Sequence, residues 1–147
     1  MTRTLAVVIS LAMLFLAAPG DEARAQGIDI KTSQSIAVCL TTAASGSGWT
    51  LDTCLDHVLD SCGSGADKAN ACRYDISLEL LKQVKGSLPA NSSRQVEMVD
   101  QLDALSGEVC GFIIGDDYDV LMKDYFKSTC LFEKRKDIAE FMMPVAF

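Results

Sequence analysis

The sequence predicts an all-α domain, a small disulfide-crosslinked bundle of about five helices, and three observations carry that prediction. Apolar residues recur at steps of three and four over several stretches, the spacing that lines them up on one face of a helix. Nothing alternates apolar with polar for long, and the chain has no internal repeat, which argues against strands and solenoids. Six cysteines, Cys39, Cys54, Cys62, Cys72, Cys110 and Cys130, all follow an N-terminal segment that reads as a secretory leader. In an oxidising compartment such an even set becomes crosslinks.

The leader comes first. Arg3 supplies a positive start, residues 5–18 an apolar run, and Ala23-Arg24-Ala25 the small residues that precede cleavage. At about 1.5 Å per residue that run reaches only about 21 Å, short of a hydrocarbon core of about 30 Å. Residues 1–25 are therefore expected to be a signal peptide rather than an anchor, with no membrane attachment after its removal. Residues 26–32 lack any period and are expected to form a flexible lead-in, and residues 33–147 one helical domain.

Ser33-Gln34-Ser35 precedes the run from Ile36 to Leu40 and suits the start of a first helix. The glycines of Ser45-Gly46-Ser47-Gly48 then impose a turn. Thr50 can cap a second helix in which Leu51, Cys54, Leu55, Val58, Leu59 and Cys62 share a face, while Asp52, Asp56 and Asp60 form a solvated stripe. Beyond Gly63-Ser64-Gly65, Asp67 is expected to cap a third helix with the stripe Cys72, Ile76, Leu80, Leu81, Val84 and Leu88. Ser92 with Gln95 resembles a capping box for a fourth, whose inward side reads Val96, Val99, Leu102, Leu105, Val109 and Ile113. Asp116, Asp117 and Asp119 suit the positive start of a fifth helix over residues 119–142, with Lys134-Arg135-Lys136 toward its negative end.

Six cysteines admit fifteen pairings. Helical-hairpin geometry favours Cys39 with Cys54 across the first turn and Cys62 with Cys72 across the second, leaving Cys110 with Cys130.

The formal net charge is −7 over 147 residues, and the leader's charges cancel, so the rest of the chain carries all of it. That sign repels nucleic acid and attracts cationic proteins. Motifs for chemistry are sparse: Cys-x-x-Cys, Gly-x-Ser-x-Gly and a phosphate-cradling Gly-Lys-Ser are all missing. His57 is the single histidine. Cys54, His57 and Cys62 have zinc-type chemistry, but their spacing does not share a helical face and oxidation competes for the sulfurs. The expectation is a non-enzyme with no catalytic residues, no metal and no cofactor. Asn91-Ser92-Ser93 fits a glycosylation acceptor only in a eukaryotic secretory route.

Two stretches resemble a known family. Cys39-Leu40, Cys54-Leu55, Cys62 and Ala71-Cys72 are similar to a four-cysteine lead. Residues 105–110, the stretch to Gly115, Ser128-Thr129-Cys130-Leu131, Lys134-Arg135-Lys136 and Ala139-Glu140-Phe141 resemble a closing hairpin. Both belong to the LprI-type, lysozyme-inhibitor-like family of secreted helical proteins, and together they cover most of residues 37–142. The resemblance implies a periplasmic or secreted domain that inhibits lysozyme, and it carries over no binding residue. Joined to the charge, it points to a cationic protein such as lysozyme as partner, met by exposed acids such as Asp56, Asp60, Asp116, Asp117 and Asp119, whose ordinary roles are capping and solubility. The alternative is a structural or immunity-like module that binds another envelope protein through an apolar face around Phe126, Phe141, Met142, Met143 and Phe147.

Overall fold

The structure, a computed structural model, describes residues 28–114 and 118–147. Over these it is all-α: α1 Ile30–Ala44, α2 Leu51–Leu59, a single 3₁₀ turn Asp60–Cys62, α3 Ala66–Ser87, α4 Ser93–Ile113 and α5 Val120–Ala146. The leader and the acids Asp116 and Asp117 lie outside the described residues.

Helix starts are set by local chemistry. The Asp29 carboxylate accepts from Thr32 N at 2.8 Å, so α1 begins at Ile30, within the segment expected to be a mobile lead-in. A good N-cap satisfies an orphan amide that Ser33 would have reached a turn later. Thr50 caps α2 as expected, accepting from Thr53 N at 3.1 Å, and Asp119 caps α5 by accepting from Met122 N at 2.8 Å.

Two predicted caps fail. Gly65, not Asp67, precedes α3, and Asp67 sits inside the first turn, where its charge still meets the helix dipole. Ser92 occupies the cap position of α4 without a side-chain bond. Its backbone carbonyl accepts from Gln95 N and Val96 N, and burial of the serine withdraws it from the reciprocal box.

The helix ends are equally physical. Gly46 and Gly63 have φ of 68° and 76°, conformations that cost a side chain but not a glycine. Helix α3 runs through Gly86 and stops because Leu88 precedes Pro89 and is held extended. Helix α5 continues four residues past the expected Met142 and carries Pro144 in its final turn, where the missing N–H forfeits one helical hydrogen bond close to the end of the helix.

Matched contacts give the topology. Arg73 reaches Ser128 and Ser77 reaches Arg135, so residue numbers rise together and α3 and α5 run parallel. Lys85 meets Asp100, Asp103 meets Arg135, and Cys110 bonds Cys130, so α4 runs antiparallel to both. The α1–α2 hairpin, closed by Cys39–Cys54, packs on α3 and α5, and Cys62–Cys72 ties its end to α3. All three disulfides pair as hairpin geometry favours. Crosslinks of this kind persist where thiols oxidise.

The core joins Ile36 and Leu40 of α1, Leu51 and Leu55 of α2, Ile76, Leu80 and Val84 of α3, and Phe132, Ile138, Ala139 and Met142 of α5. Each fully buried aliphatic side chain contributes about 1.5–3 kcal/mol of transfer free energy. Helix α4 keeps the first half of its expected inward side, with Val96 and Leu102 packed on the core beside Val99, and departs from it in the second half. Val99, Ser106 and Cys110 are buried, while Leu105 is 54% exposed and Val109 is also exposed. The disulfide at Cys110 and the ion pair at Asp103 determine this rotation, and they override an apolar stripe lying one residue to the side.

Candidate functional site

The contact between α3 and α5 changes character along its length. In its second half it is apolar, from Ile76 to Val84 against Phe132 to Met142. In its first half the buried residues are Asn70 and Ser77 on α3 and Ser128 on α5, with Arg135 where the two halves meet. Small and polar side chains there supply little hydrophobic attraction, and the helices leave a cleft between their N-terminal turns. It has a volume of about 340 Å³ and is lined by Asp67, Asn70, Ala71, Tyr74, Asp75, Asp124, Lys127 and Ser128. That is at the small end of the range for ligand-binding clefts, about 300–1,000 Å³.

Two arginines outside the lining brace residues that form it. Arg73 Nη1 donates to Asn70 Oδ1 at 3.4 Å and to Ser128 Oγ at 3.5 Å, and its guanidinium lies 5.5 Å from the centroid of Tyr125. Arg135, 5% exposed, donates from Nε to Asp103 Oδ1 at 2.7 Å and from Nη1 to Ser77 Oγ at 2.8 Å. It also stacks over Tyr74, 4.9 Å from the ring centre. Both arginines face polar partners across a helix interface, the arrangement that a rigid five-donor fork favours.

Two groups in the cleft stand apart. Asn70 is 5% exposed, its carbonyl is held by Arg73, and its Nδ2 is buried without a hydrogen-bond partner among the described residues. A buried donor left unpaired costs about 1–3 kcal/mol. Asp75 is half-buried, and burial pushes its carboxyl above the ordinary aspartate value. No hydrogen bond or ion pair to Asp75 occurs among the described residues. The unpaired donor is thus enclosed in the protein, while the unpaired acceptor keeps part of its surface open to solvent.

Elsewhere, Glu79 and Asp52 are engaged in contacts between helices. Burial pushes the Glu79 carboxyl up, but hydrogen bonds from Ser33, Lys82 and Gln83, with the charge of Lys82, outweigh it and hold the group below its ordinary value. Glu79 thereby ties α3 to α1. For Lys136, burial opposes the charge, yet hydrogen bonds to Asp52 and Glu133 and their negative charges prevail and raise its pKa. Asp52, part of the expected aspartate stripe, therefore serves to join α2 to α5.

The acids expected to meet a partner are not gathered in one place. Asp56 is exposed on α2, and Asp60 lies in the turn after it, 3.9 Å from His57 Nδ1. Asp119 is occupied as the cap of α5. The Cys54, His57 and Cys62 set has both sulfurs committed to disulfides, and no group of three or more ligating side chains occurs among the described residues. The apolar face expected around Phe126, Phe141, Met142, Met143 and Phe147 is not a single patch. Met142 is buried in the core, Phe141 and Phe147 are exposed, and Phe126 lies about four turns up the same helix from Phe141. There Phe126 contacts Tyr118 at 5.2 Å and Tyr125 at 5.6 Å, all three exposed.

Sequence reasoning missed Asn70, Asp75 and the inward turn of Arg135. One signal was available: the apolar stripe of α3 starts only at Cys72, so the helix's first turns have nothing hydrophobic to bury. Among the described residues no helix is long and apolar enough to cross a membrane. The chain matches no protein-family model, no curated protein and no solved structure.

Proposed function

We propose that this chain is an exported, non-enzymatic binding protein of the lysozyme-inhibitor-like type, acting in the periplasm or outside the cell on a cationic cell-wall hydrolase. The observation that carries the reading is a cleft lined by Asp67, Asp75 and Asp124 against a single Lys127, set in a disulfide-locked chain of net charge −7. Such a field draws a basic partner in and orients it, with an association rate that falls as salt rises. Preorganisation by crosslinks limits the conformational entropy lost on docking. The family resemblance of the cysteine-bearing segments supports the choice of partner, with Asp56 and Asp60 as further exposed acids elsewhere on the surface.

The direct test is a turbidity assay of lysozyme-driven cell-wall lysis with the oxidised protein added in molar excess. Slowed lysis that recovers as salt is raised is the expected result. Unchanged lysis at every ratio removes the reading.

A second reading, a structural or immunity-like module for another envelope protein, draws on the exposed Tyr118, Tyr125 and Phe126 cluster. It predicts a complex that persists in high salt.

A further inference from the structure

The three disulfides are not equally enclosed. Cys39 is 1% and Cys110 0% exposed, so two of the bonds have one cysteine shielded in the protein, whereas Cys62 and Cys72 are both only half-buried. Their surroundings are open as well: Asp60, Ser61, residues 63–68 and Ala71 are all exposed. Thiol–disulfide exchange starts when a thiolate reaches one sulfur, so access decides which bond exchanges first.

The loop that Cys62–Cys72 closes contains the start of α3. That helix begins after Gly65, which supplies no side-chain cap, and residues 66–72 bury only Asn70, whose Nδ2 is unpaired. Arg73 links the stretch to α5 through a long hydrogen bond, Nη1 to Ser128 Oγ at 3.5 Å. From Ile76 onward the helix is held by the core instead. A helix end with no cap and little apolar burial opens at low cost, and tying residue 72 back to residue 62 restricts that opening. These first turns also form one wall of the cleft, through Asp67, Asn70 and Ala71.

We infer that Cys62–Cys72 is a redox latch on the cleft between α3 and α5. A dithiol donor of the thiol–disulfide oxidoreductase class attacks one of the two sulfurs as its thiolate and breaks the S–S bond in forming a mixed disulfide. The donor's second thiol then displaces the protein sulfur. The donor leaves as a disulfide, and its two electrons and two protons remain on the chain as the Cys62 and Cys72 thiols. The first turns of α3 are thereby released from the 3₁₀ turn, while Cys39–Cys54 and Cys110–Cys130 keep the rest of the bundle closed. The latch acts on the wall of the cleft whatever partner the cleft takes, so it does not rest on the hydrolase reading.

The experiment treats the native oxidised protein with dithiothreitol for increasing times, then quenches with acid, alkylates the free thiols and maps the peptides by mass spectrometry. Cys62 and Cys72 are expected to be alkylated at least about tenfold faster than the other four cysteines. Amide hydrogen exchange on the partly reduced protein should then speed up at least about tenfold over residues 66–73, with protection retained from Ile76 to Val84. The double variant Cys62→Ser with Cys72→Ser should show the same exchange pattern before any reductant is added, and brief dithiothreitol treatment should not change it further.

Reduction of Cys39–Cys54 or Cys110–Cys130 first, or of all three bonds together, would overturn the assignment. So would a double serine variant whose residues 66–73 are as protected as in the oxidised parent. Lost protection from Ile76 to Val84, in the partly reduced protein or in the variant, would overturn it from the other side, because the bond would then hold the whole fold rather than the cleft wall.

Discussion

Replacing Asp103 with alanine should cost more stability than replacing Arg135 with methionine, although the two residues form one ion pair. The pair joins α4 to α5 through Nε–Oδ1 at 2.7 Å and Nη2–Oδ2 at 3.4 Å, and its side chains are 28% and 6% exposed for Asp103 and Arg135. Removing one partner of a buried pair costs about 3–5 kcal/mol, because the remaining charge is left without compensation. Without Asp103, the guanidinium keeps Ser77 and Tyr74 but loses its counter-charge where water has little access. Partial exposure of the pair lowers the expected loss to about 2–3 kcal/mol. Without Arg135, the carboxylate that remains already touches water and methionine can pack on Tyr74, so about 1–2 kcal/mol is expected. The double variant D103L/R135M should return to within about 1 kcal/mol of the parent, since it leaves no buried charge at all. Urea unfolding with all disulfides intact measures each value, and the double-mutant cycle isolates the coupling. A D103A loss below about 0.5 kcal/mol, or a larger loss for R135M than for D103A, would refute the argument from unequal burial.

Two other predictions concern the scaffold. Removing Cys110–Cys130 as the double alanine variant should lower stability by about 3 kcal/mol, slightly more than loss of Cys39–Cys54 or Cys62–Cys72. The ordering follows sequence separations of 20, 15 and 10 residues, and urea midpoints of the three double variants would test it. Glu79 has a depressed carboxyl pKa in the fold, so its contribution is fully present above the unfolded value of about 4.5 and is lost as pH falls through the lower folded value. Stability measured at pH 6 and pH 3 should therefore fall less in E79Q than in the parent, and equal falls would show that the Ser33, Lys82 and Gln83 contacts contribute nothing.

Much of this architecture is legible in local sequence, because it arises from interactions a few residues long. Thr50 and Asp119 cap because a short oxygen-bearing side chain at a helix start reaches an amide three residues on. The disulfide pairs follow because turns at Gly46 and Gly63 place the flanking cysteines of each hairpin level with each other. The stripe from Ile76 to Leu88 in α3 is buried as its spacing indicates.

Helix rotation and the cleft were out of reach of that reasoning. In α4 the apolar stripe through Leu105 and Val109 is a weaker determinant than a covalent bond at Cys110 and an ion pair at Asp103, and both partners of those contacts lie on another helix. Arg135 looked like one more cation in a terminal run, and it turns inward because Asp103, Ser77 and Tyr74 meet there from two other helices. The cleft exists because α3 and α5 lie side by side and parallel, bringing Asn70 beside Ser128 and leaving Asp75 unpaired. Periodicity reports which face of a helix avoids water, whereas the partner it meets depends on how the whole chain closes its core, and contacts 58 residues apart such as Ser77 to Arg135 are settled at that level alone.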